Sequence, residues 1–156
     1  MTSEFEQAAE AFGSSGALLG LDLGDKTIGV ASCGPERTVA TPVETIRRTK
    51  LTQDAERLRD LAEARQVVGL VIGLPLNMNG DEGPRAQSAR SIAGHLRRLL
   101  GLPTAFWDER MSTIAMERDL IALDVSRARR RETIDQSAAA FILQGAIDRL
   151  RRLADH

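Results

Sequence analysis

The sequence predicts an α/β fold, in which helices cover a central sheet. Apolar residues make up 42% of the 156 residues but aromatic residues only 3%, so the core must be built from Leu, Val, Ile and Ala. Apolar runs of strand length alternate with stretches of amphipathic helical spacing. We expect one domain over residues 17 to 153. Residues 1 to 16 are expected to form a flexible extension that ends in Gly-Ser-Ser-Gly, with one helical turn around Phe5 to Phe12.

The first half of the chain predicts a meander of three strands. The apolar run ALLGLDL, 17 to 23, is followed after a short turn by a second strand, 27 to 32, and so few turn residues indicate an antiparallel hairpin. A third strand is predicted at 39 to 45. Pro42 belongs at an edge or a bulge of the sheet, because proline cannot donate a ladder hydrogen bond.

The second half predicts alternating helices and strands. Helices are predicted at 51 to 65 and from Pro84 to about Leu100, and strands at 67 to 73 and 104 to 107. Ser112 or Thr113 is expected to cap a helix to about Leu123, and a loop rich in arginine leads to a last helix at about 133 to 153. The order β-β-β-α-β-α-β-α-α predicts a five-stranded mixed sheet, in which the alternating units add parallel strands.

Composition and missing motifs exclude several classes of protein. The 21 basic and 22 acidic residues nearly cancel, so any affinity for nucleic acid must come from local patches. A single cysteine, Cys33, excludes an internal disulfide, and only two histidines argue against zinc catalysis. The sequence has no GxxxxGK[ST] or GxGxxG motif. Without a long apolar run or a signal-peptide pattern, we expect a cytoplasmic protein with no membrane partner.

Three carboxylates occupy unusual positions. Asp22 lies inside an apolar strand, and a hydrogen bond to the following turn explains it about as well as metal binding does. Glu109 follows the strand TAFW at a carboxyl end, where α/β sheets bind ligands; an ion pair with Arg110 is the alternative, and spacing does not decide between Glu109 and Asp108. Asp135 lies near the start of the last helix, where interaction with the helix dipole would suffice to explain it.

As a set, these carboxylates indicate a metal site. Three converging carboxylates would raise one another's pKa values unless a cation kept them ionised. Mg²⁺ prefers hard oxygen ligands and leaves coordination positions for water or phosphate oxygens. Two such ions, about 3.5–4 Å apart, can activate a water on one side of a phosphodiester and stabilise the leaving oxygen on the other.

Four motifs, in this order, carry a resemblance: GLDLGDKTIGVA at 20 to 31, GLPLNMNGDEGP at 73 to 84, DERMST at 108 to 113 and IDQSAAA at 134 to 140. Over about residues 17 to 150 the chain resembles the YqgF or RuvX-like proteins, described as pre-16S ribosomal RNA nucleases and as Holliday-junction resolvases. The resemblance implies a ribonuclease H-like fold. It also implies a nuclease that uses Mg²⁺ or Mn²⁺, with two ions expected.

Carried over motif by motif, the resemblance selects Asp22, Glu109 and Asp135 as the catalytic and metal-binding residues. It thereby prefers Glu109 to Asp108, a choice that spacing leaves open. One position departs from the pattern, because relatives often have Lys two residues before the last Asp, where this chain has Thr133.

Basic and amide side chains near these motifs are expected to bind the substrate. The segment 127 to 152 holds seven arginines against three acidic residues, which fits phosphate binding, although a solvated loop is the alternative. A helix with Arg85, Arg90, Arg97 and Arg98, and no acidic residue in the same stretch, is a second candidate, whereas Trp107 is expected in the core. The predicted substrate-binding residues are Lys26, Asn77, Arg110, Ser112, Arg127, Arg129, Arg130 and Arg131.

The expected activity is hydrolysis of phosphodiester bonds at the 5′ end of precursor 16S ribosomal RNA, by a monomer or a homodimer. RNA is the preferred substrate and DNA the alternative, in a resolvase that would act as a symmetric dimer on four-way junctions. A non-catalytic, transcription-associated RNA-binding module is a third hypothesis. An ATPase of the actin and sugar-kinase type is a fourth, against which the length argues, because such proteins close two lobes around ATP.

Overall fold

The computed structural model describes residues 3 to 111 and 127 to 155, with side chains placed for 3 to 111 and 138 to 155. The predicted helix that begins at Ser112 or Thr113 lies outside these residues. The elements in chain order are α1 (Glu4–Ala9), a 3₁₀ turn (Glu10–Phe12), β1 (Ala17–Leu23), β2 (Thr27–Cys33), β3 (Ala40–Arg47), α2 (Leu51–Ala64), β4 (Val67–Leu74), α3 (Pro84–Leu100), β5 (Thr104–Asp108), a 3₁₀ turn (Glu109–Met111) and α4 (Arg127–Ala154).

The five strands form one mixed sheet in the order β3-β2-β1-β4-β5. β2 pairs antiparallel with both β1 and β3, whereas β4 pairs parallel with both β1 and β5. The antiparallel meander and the parallel strands of the alternating units are therefore confirmed. β3 is an edge strand, and its register with β2 shifts beside Pro42, so the proline lies at an edge and next to a bulge, as predicted.

Two apolar layers enclose the sheet. α4 packs on one face, with Ile142, Leu143 and Ile147 fully buried, and α2 and α3 pack on the other. Gly20 allows the close approach of α4, because a Cβ there would lie 2.6 Å from Leu143 Cβ and 3.0 Å from the Ala139 carbonyl oxygen. Within the described ranges, none of the helices has the length and apolar character needed to cross a membrane.

The last helix begins earlier than the sequence indicates. α4 starts at Arg127, so the predicted arginine-rich loop belongs to the helix, and the predicted start at about 133 is wrong. The physical reason is that arginine is among the better helix formers, and a run of arginines extends a helix unless glycine or proline interrupts it.

The N-terminal segment differs from the expected flexible extension. Phe5 and Phe12 are buried; Phe5 meets the Trp107 ring edge-on at 5.2 Å between centroids, and Phe12 packs against Gly69. The buried Arg37 guanidinium donates hydrogen bonds of 2.8–2.9 Å to four carbonyl groups between residues 12 and 16. An apolar helix face thus attaches the segment, although its linker-like composition suggested otherwise. The division of the chain at residue 17 stays a prediction.

Candidate nucleic-acid site

The candidate site lies at one edge of the sheet, where β1, β4 and β5 end. These three strands are parallel, so their carboxyl ends meet at the same edge, which we call the site edge. β3 also ends there, because β1 and β3 are both antiparallel to β2. The turn after β1, the loop 75 to 83 after β4 and the turn after β5 therefore all border this edge.

Asp22 lies on the face of the sheet that α4 covers. Gly20 faces Ala139 and Leu143 of α4, and side chains two residues apart in a strand point to the same face. Asp22 is partly buried there. The parallel register pairs Leu21 with Ile72, which makes Gly73 the residue of β4 level with Asp22.

Glu109 reaches over Gly73. A Cβ on Gly73 would lie 3.4 Å from the Glu109 carboxyl carbon and 2.4 Å from Ile142 Cδ1. The Glu109 side chain therefore leaves the end of β5 and lies above β4, on the face that α4 covers. Since Gly73 is level with Asp22, the structure brings these two carboxylates to the same face of the site edge.

Asp108 has different surroundings. Its carboxylate accepts hydrogen bonds from Arg110, with Asp108 Oδ2 2.8 Å from Nη2 and Oδ1 2.9 Å from the Arg110 backbone nitrogen. Arg110 Nη1 also donates to the Met78 carbonyl at 3.2 Å, which ties the loop after β4 to the end of β5. The hydrogen bond to Asp108 raises the pKa of Arg110 above its ordinary value. The two carboxylates that spacing leaves equivalent thus face different groups.

For several of the remaining predicted site residues, the structure does not describe the side chain. Asp135 belongs to α4, one helical turn before Ala139, but its side chain is among those not described. The same holds for the side chains of Ser112, Arg127, Arg129, Arg130 and Arg131. Among the placed side chains, no three His, Cys, Asp or Glu residues converge, and this part of the chain contains two of the three predicted ligands.

The loop 75 to 83 forms a closed turn. The Gly80 N–H donates to the Asn77 carbonyl at 2.8 Å, and the Asn77 N–H donates to the Asp81 carbonyl at 3.0 Å. The Asn79 side chain binds both the backbone nitrogen and the carboxylate of Asp81, at 3.0 and 2.9 Å. Gly80 has φ +94°, a conformation that favours glycine. Met78 is exposed at the tip of this turn.

Arg90, which the sequence suggested as a phosphate contact, is paired with carboxylates of the protein itself. It donates to Glu82 at 2.7 Å and to both carboxylate oxygens of Glu4 at 2.7 and 3.0 Å, and it lies 4.8 Å above the centre of the Phe106 ring. These carboxylates raise its pKa above the ordinary range. The sequence did not indicate the pair with Glu4, because Glu4 lies in the segment expected to be flexible.

Lys26 is exposed in the turn between β1 and β2, at the site edge. Three further basic residues lie at this edge and are not among the predicted substrate-binding residues: Arg47, Arg48 and Lys50. Their signal was present in the run RRTK, 47 to 50, at the end of the third predicted strand.

Comparison with known proteins identifies relatives over nearly the whole chain. The family model described as "RuvX: Holliday junction resolvase" matches residues 16–149. A protein of Bradyrhizobium diazoefficiens is 59% identical over 146 residues, 94% of this chain and 91% of the relative. Proteins of Rhodopseudomonas palustris and Paracoccus denitrificans are 63% and 59% identical, over 88% and 95% of this chain and 86% and 94% of the relatives. All three relatives carry the description "Putative pre-16S rRNA nuclease".

Solved structures share the fold. RuvC of Thermus thermophilus, in complex with a Holliday junction substrate, superposes with a TM-score of 0.56 at 12% identity, over 86% of this chain and 96% of that chain. A second RuvC structure from the same organism gives 0.55 at 13% identity, over 88% of this chain and 96% of that one. These neighbours confirm the ribonuclease H-like fold, and the family match confirms the resemblance carried by the four motifs. The chain belongs to the RuvX family.

Proposed function

We propose that this protein is a nuclease that hydrolyses phosphodiester bonds of precursor 16S ribosomal RNA in the cytoplasm, with divalent metal held by Asp22, Glu109 and Asp135. Membership of the RuvX family and the names of its relatives support the nuclease class. The observation that carries the site is the position of Glu109, whose carboxyl carbon lies above Gly73, the residue of β4 level with Asp22.

The chemistry of these side chains suits Mg²⁺ or Mn²⁺. Two partly buried carboxylates on one face of the sheet offer oxygen ligands, and hard divalent cations prefer oxygen. We expect Asp135 to complete the set, because it lies four residues before Ala139, which faces the sheet beside Gly20. Two bound ions would supply an activated water and stabilise the leaving oxygen.

The protein's own residues would hold and orient the RNA. Arg110 fixes the loop after β4 through Met78, so that Asn77 is held in a defined turn at the site edge. Lys26, Ser112 and the arginines at 127, 129, 130 and 131 are the proposed phosphate contacts, whereas Arg110, which is paired with Asp108, is proposed to act by holding the loop. RNA is proposed rather than DNA because the relatives are named for RNA, whereas the junction-bound RuvC shares only the fold.

A cleavage assay with two substrates tests this proposal. Precursor 16S RNA and a four-way DNA junction are each incubated with Mg²⁺, Mn²⁺ or EDTA, using wild type, Asp22→Asn and Glu109→Gln. We expect metal-dependent cleavage of the RNA, which falls at least about 100-fold in both variants, the scale typical of groups that act in the transition state. The matched control is Asp25→Asn, an exposed carboxylate three residues after Asp22.

Each result has a definite meaning. Full activity of Asp22→Asn would overturn the assigned site, and equal losses in Asp25→Asn would show only a general effect of charge. Cleavage of the junction with intact RNA would replace the proposed substrate by branched DNA. Sedimentation of the same samples would establish whether the active species is a monomer or a homodimer.

A further inference from the structure

Four basic residues gather on the β3 side of the site edge, and we call them the basic strip: Lys26, Arg47, Arg48 and Lys50. The antiparallel register pairs Arg47 with Thr27, the residue after Lys26. The Arg48 N–H donates to the Lys26 carbonyl at 2.9 Å. The segments 24 to 27 and 47 to 50 hold four basic residues and a single acidic one, Asp25. The strip therefore borders the turn that follows Asp22.

The backbone beneath the strip is fixed by internal hydrogen bonds. Arg48 Nη1 donates to the Gly24 carbonyl at 2.7 Å, which joins the start of the β3–α2 connection to the β1–β2 turn. Thr49 donates to the buried Asp54 carboxylate from its backbone nitrogen at 3.2 Å and from its hydroxyl at 2.9 Å. Arg48 is thus a positioning residue that holds its neighbours in place.

The other three cations of the strip are directed to solvent. Lys26, Arg47 and Lys50 are exposed, and none has an ion pair with any residue in the part of the chain that the structure describes. Arg110 and Arg90, on the opposite side of the site edge, are already paired with carboxylates. Cations without a protein partner can exchange their counterions for phosphates, which is the main source of affinity for nucleic acid.

The distance from the strip to the candidate site fits a strand of nucleic acid. Asp22, Gly29 and Thr45 lie in one row across β1, β2 and β3. Arg47 is two residues further along β3, so its Cα lies about 12 Å from that of Asp22, given the usual spacings within and between strands. Along the backbone of a bound strand, this separation amounts to a few nucleotides.

We propose that the basic strip binds the phosphate backbone of the RNA substrate a few nucleotides from the bond that is cleaved. This inference rests on the proposed nuclease function and adds Arg47 and Lys50, with Lys26, as substrate contacts and Arg48 as their support. The strand would pass from the carboxylates over the β1–β2 turn towards the start of α2. Contacts to phosphate oxygens would fix the path of the RNA backbone, and they carry no direct information about base sequence.

A binding titration tests the strip without cleavage. Affinity for a single-stranded fragment of precursor 16S RNA is measured in EDTA over a range of salt concentrations, for wild type and for Arg47→Gln with Lys50→Gln. Loss of two phosphate contacts should raise Kd about tenfold at physiological salt and reduce the slope of log K against log salt by about 1.4. The matched control is Arg59→Gln with Arg65→Gln, two exposed arginines in the second half of α2 and directly after it, away from the site edge.

The outcomes separate the strip from the proposed function. An unchanged affinity and slope in the strip variant, or an equal change in the control, would overturn the strip. Arg47→Lys with Lys50→Arg should keep wild-type affinity, and its failure would contradict a simple charge contact. A wild type that binds but never cleaves would remove the nuclease proposal and leave the strip standing. A loss seen only with a four-way DNA junction would remove RNA as its ligand.

Discussion

The two sides of the site edge use their basic residues in opposite ways. On the β5 side, Arg110 and Arg90 are bound to carboxylates and hold protein segments together. On the β3 side, Arg48 is the only one of the four basic residues that bonds another segment among the described residues, and Lys26, Arg47 and Lys50 are exposed there. A count of arginines near a site therefore does not predict which of them meet the substrate. What decides is whether the fold brings a carboxylate to each one.

The largest expected effect is on the stability of the β5 side. Phe5→Ala and Phe12→Ala should each lower the free energy of unfolding by about 3 to 5 kcal/mol, because each removes a buried ring from the layer beside β4 and β5. Lys26→Ala, on the β3 side, should change it by less than about 0.5 kcal/mol. Urea unfolding followed by circular dichroism measures all three.

Removal of residues 1 to 12 provides the complementary test. If the shortened chain unfolds at the same urea concentration as the full chain, the segment is a flexible extension, as its composition suggested, and the packing of Phe5 and Phe12 contributes nothing. We expect instead an unfolding midpoint that falls well below that of Lys26→Ala.

A smaller effect, on the rate of RNA cleavage, is expected from loss of the ion pair between Asp108 and Arg110. If Arg110 acts by holding the loop 75 to 83, Arg110→Gln and Asp108→Asn should slow RNA cleavage to a similar extent, about tenfold, and should both speed proteolysis of that loop. If Arg110 instead acts only on a phosphate, Asp108→Asn should keep full activity. The ratio of the two cleavage rates therefore shows whether Arg110 acts by holding the loop or by contacting a phosphate of the RNA.

The course of the sheet follows from the sequence because local patterns determine it. The apolar runs end at turn residues, and Pro42 indicates an edge or a bulge on its own account, so the strands and the antiparallel meander needed no distant information. The position of β4 beside β1 was not predicted, because that pairing joins residues about 50 positions apart. The attachment of the N-terminal segment could not be predicted in this way. Its partners Trp107, Gly69 and Arg37 lie 21 or more residues from the groups that they contact, and nothing in residues 1 to 16 specifies them.

For the candidate site, too, local motifs could be recognised in the sequence, but contacts between distant residues could not be predicted. The resemblance selected Glu109 over Asp108, and this choice stays a prediction; in the structure Asp108 is bound to Arg110, whereas Glu109 lies over Gly73. Charge patterns proved weaker guides. Arg90 had no acidic neighbour in its own stretch of sequence, yet it meets Glu4, 86 residues away. The run RRTK was equally visible, but its place beside the β1–β2 turn depends on the pairing of β2 with β3.

The smallest expected effect is a pH dependence of stability on the β5 side. The hydrogen bond from Arg90 holds the pKa of Glu4 below its ordinary value. A carboxylate whose pKa is lower in the folded state adds stability above its unfolded pKa, and this contribution disappears as the pH falls through about 4 and below. Because the pair is largely exposed, we expect less than about 1 kcal/mol. Glu4→Gln should be less stable than wild type at pH 7 and equal to it near pH 2.5, as measured by urea unfolding at both pH values. A difference that persists unchanged at the lower pH would mean that the side chain contributes through packing, and that the ion pair with Arg90 does not help to hold α1 on this side of the site edge.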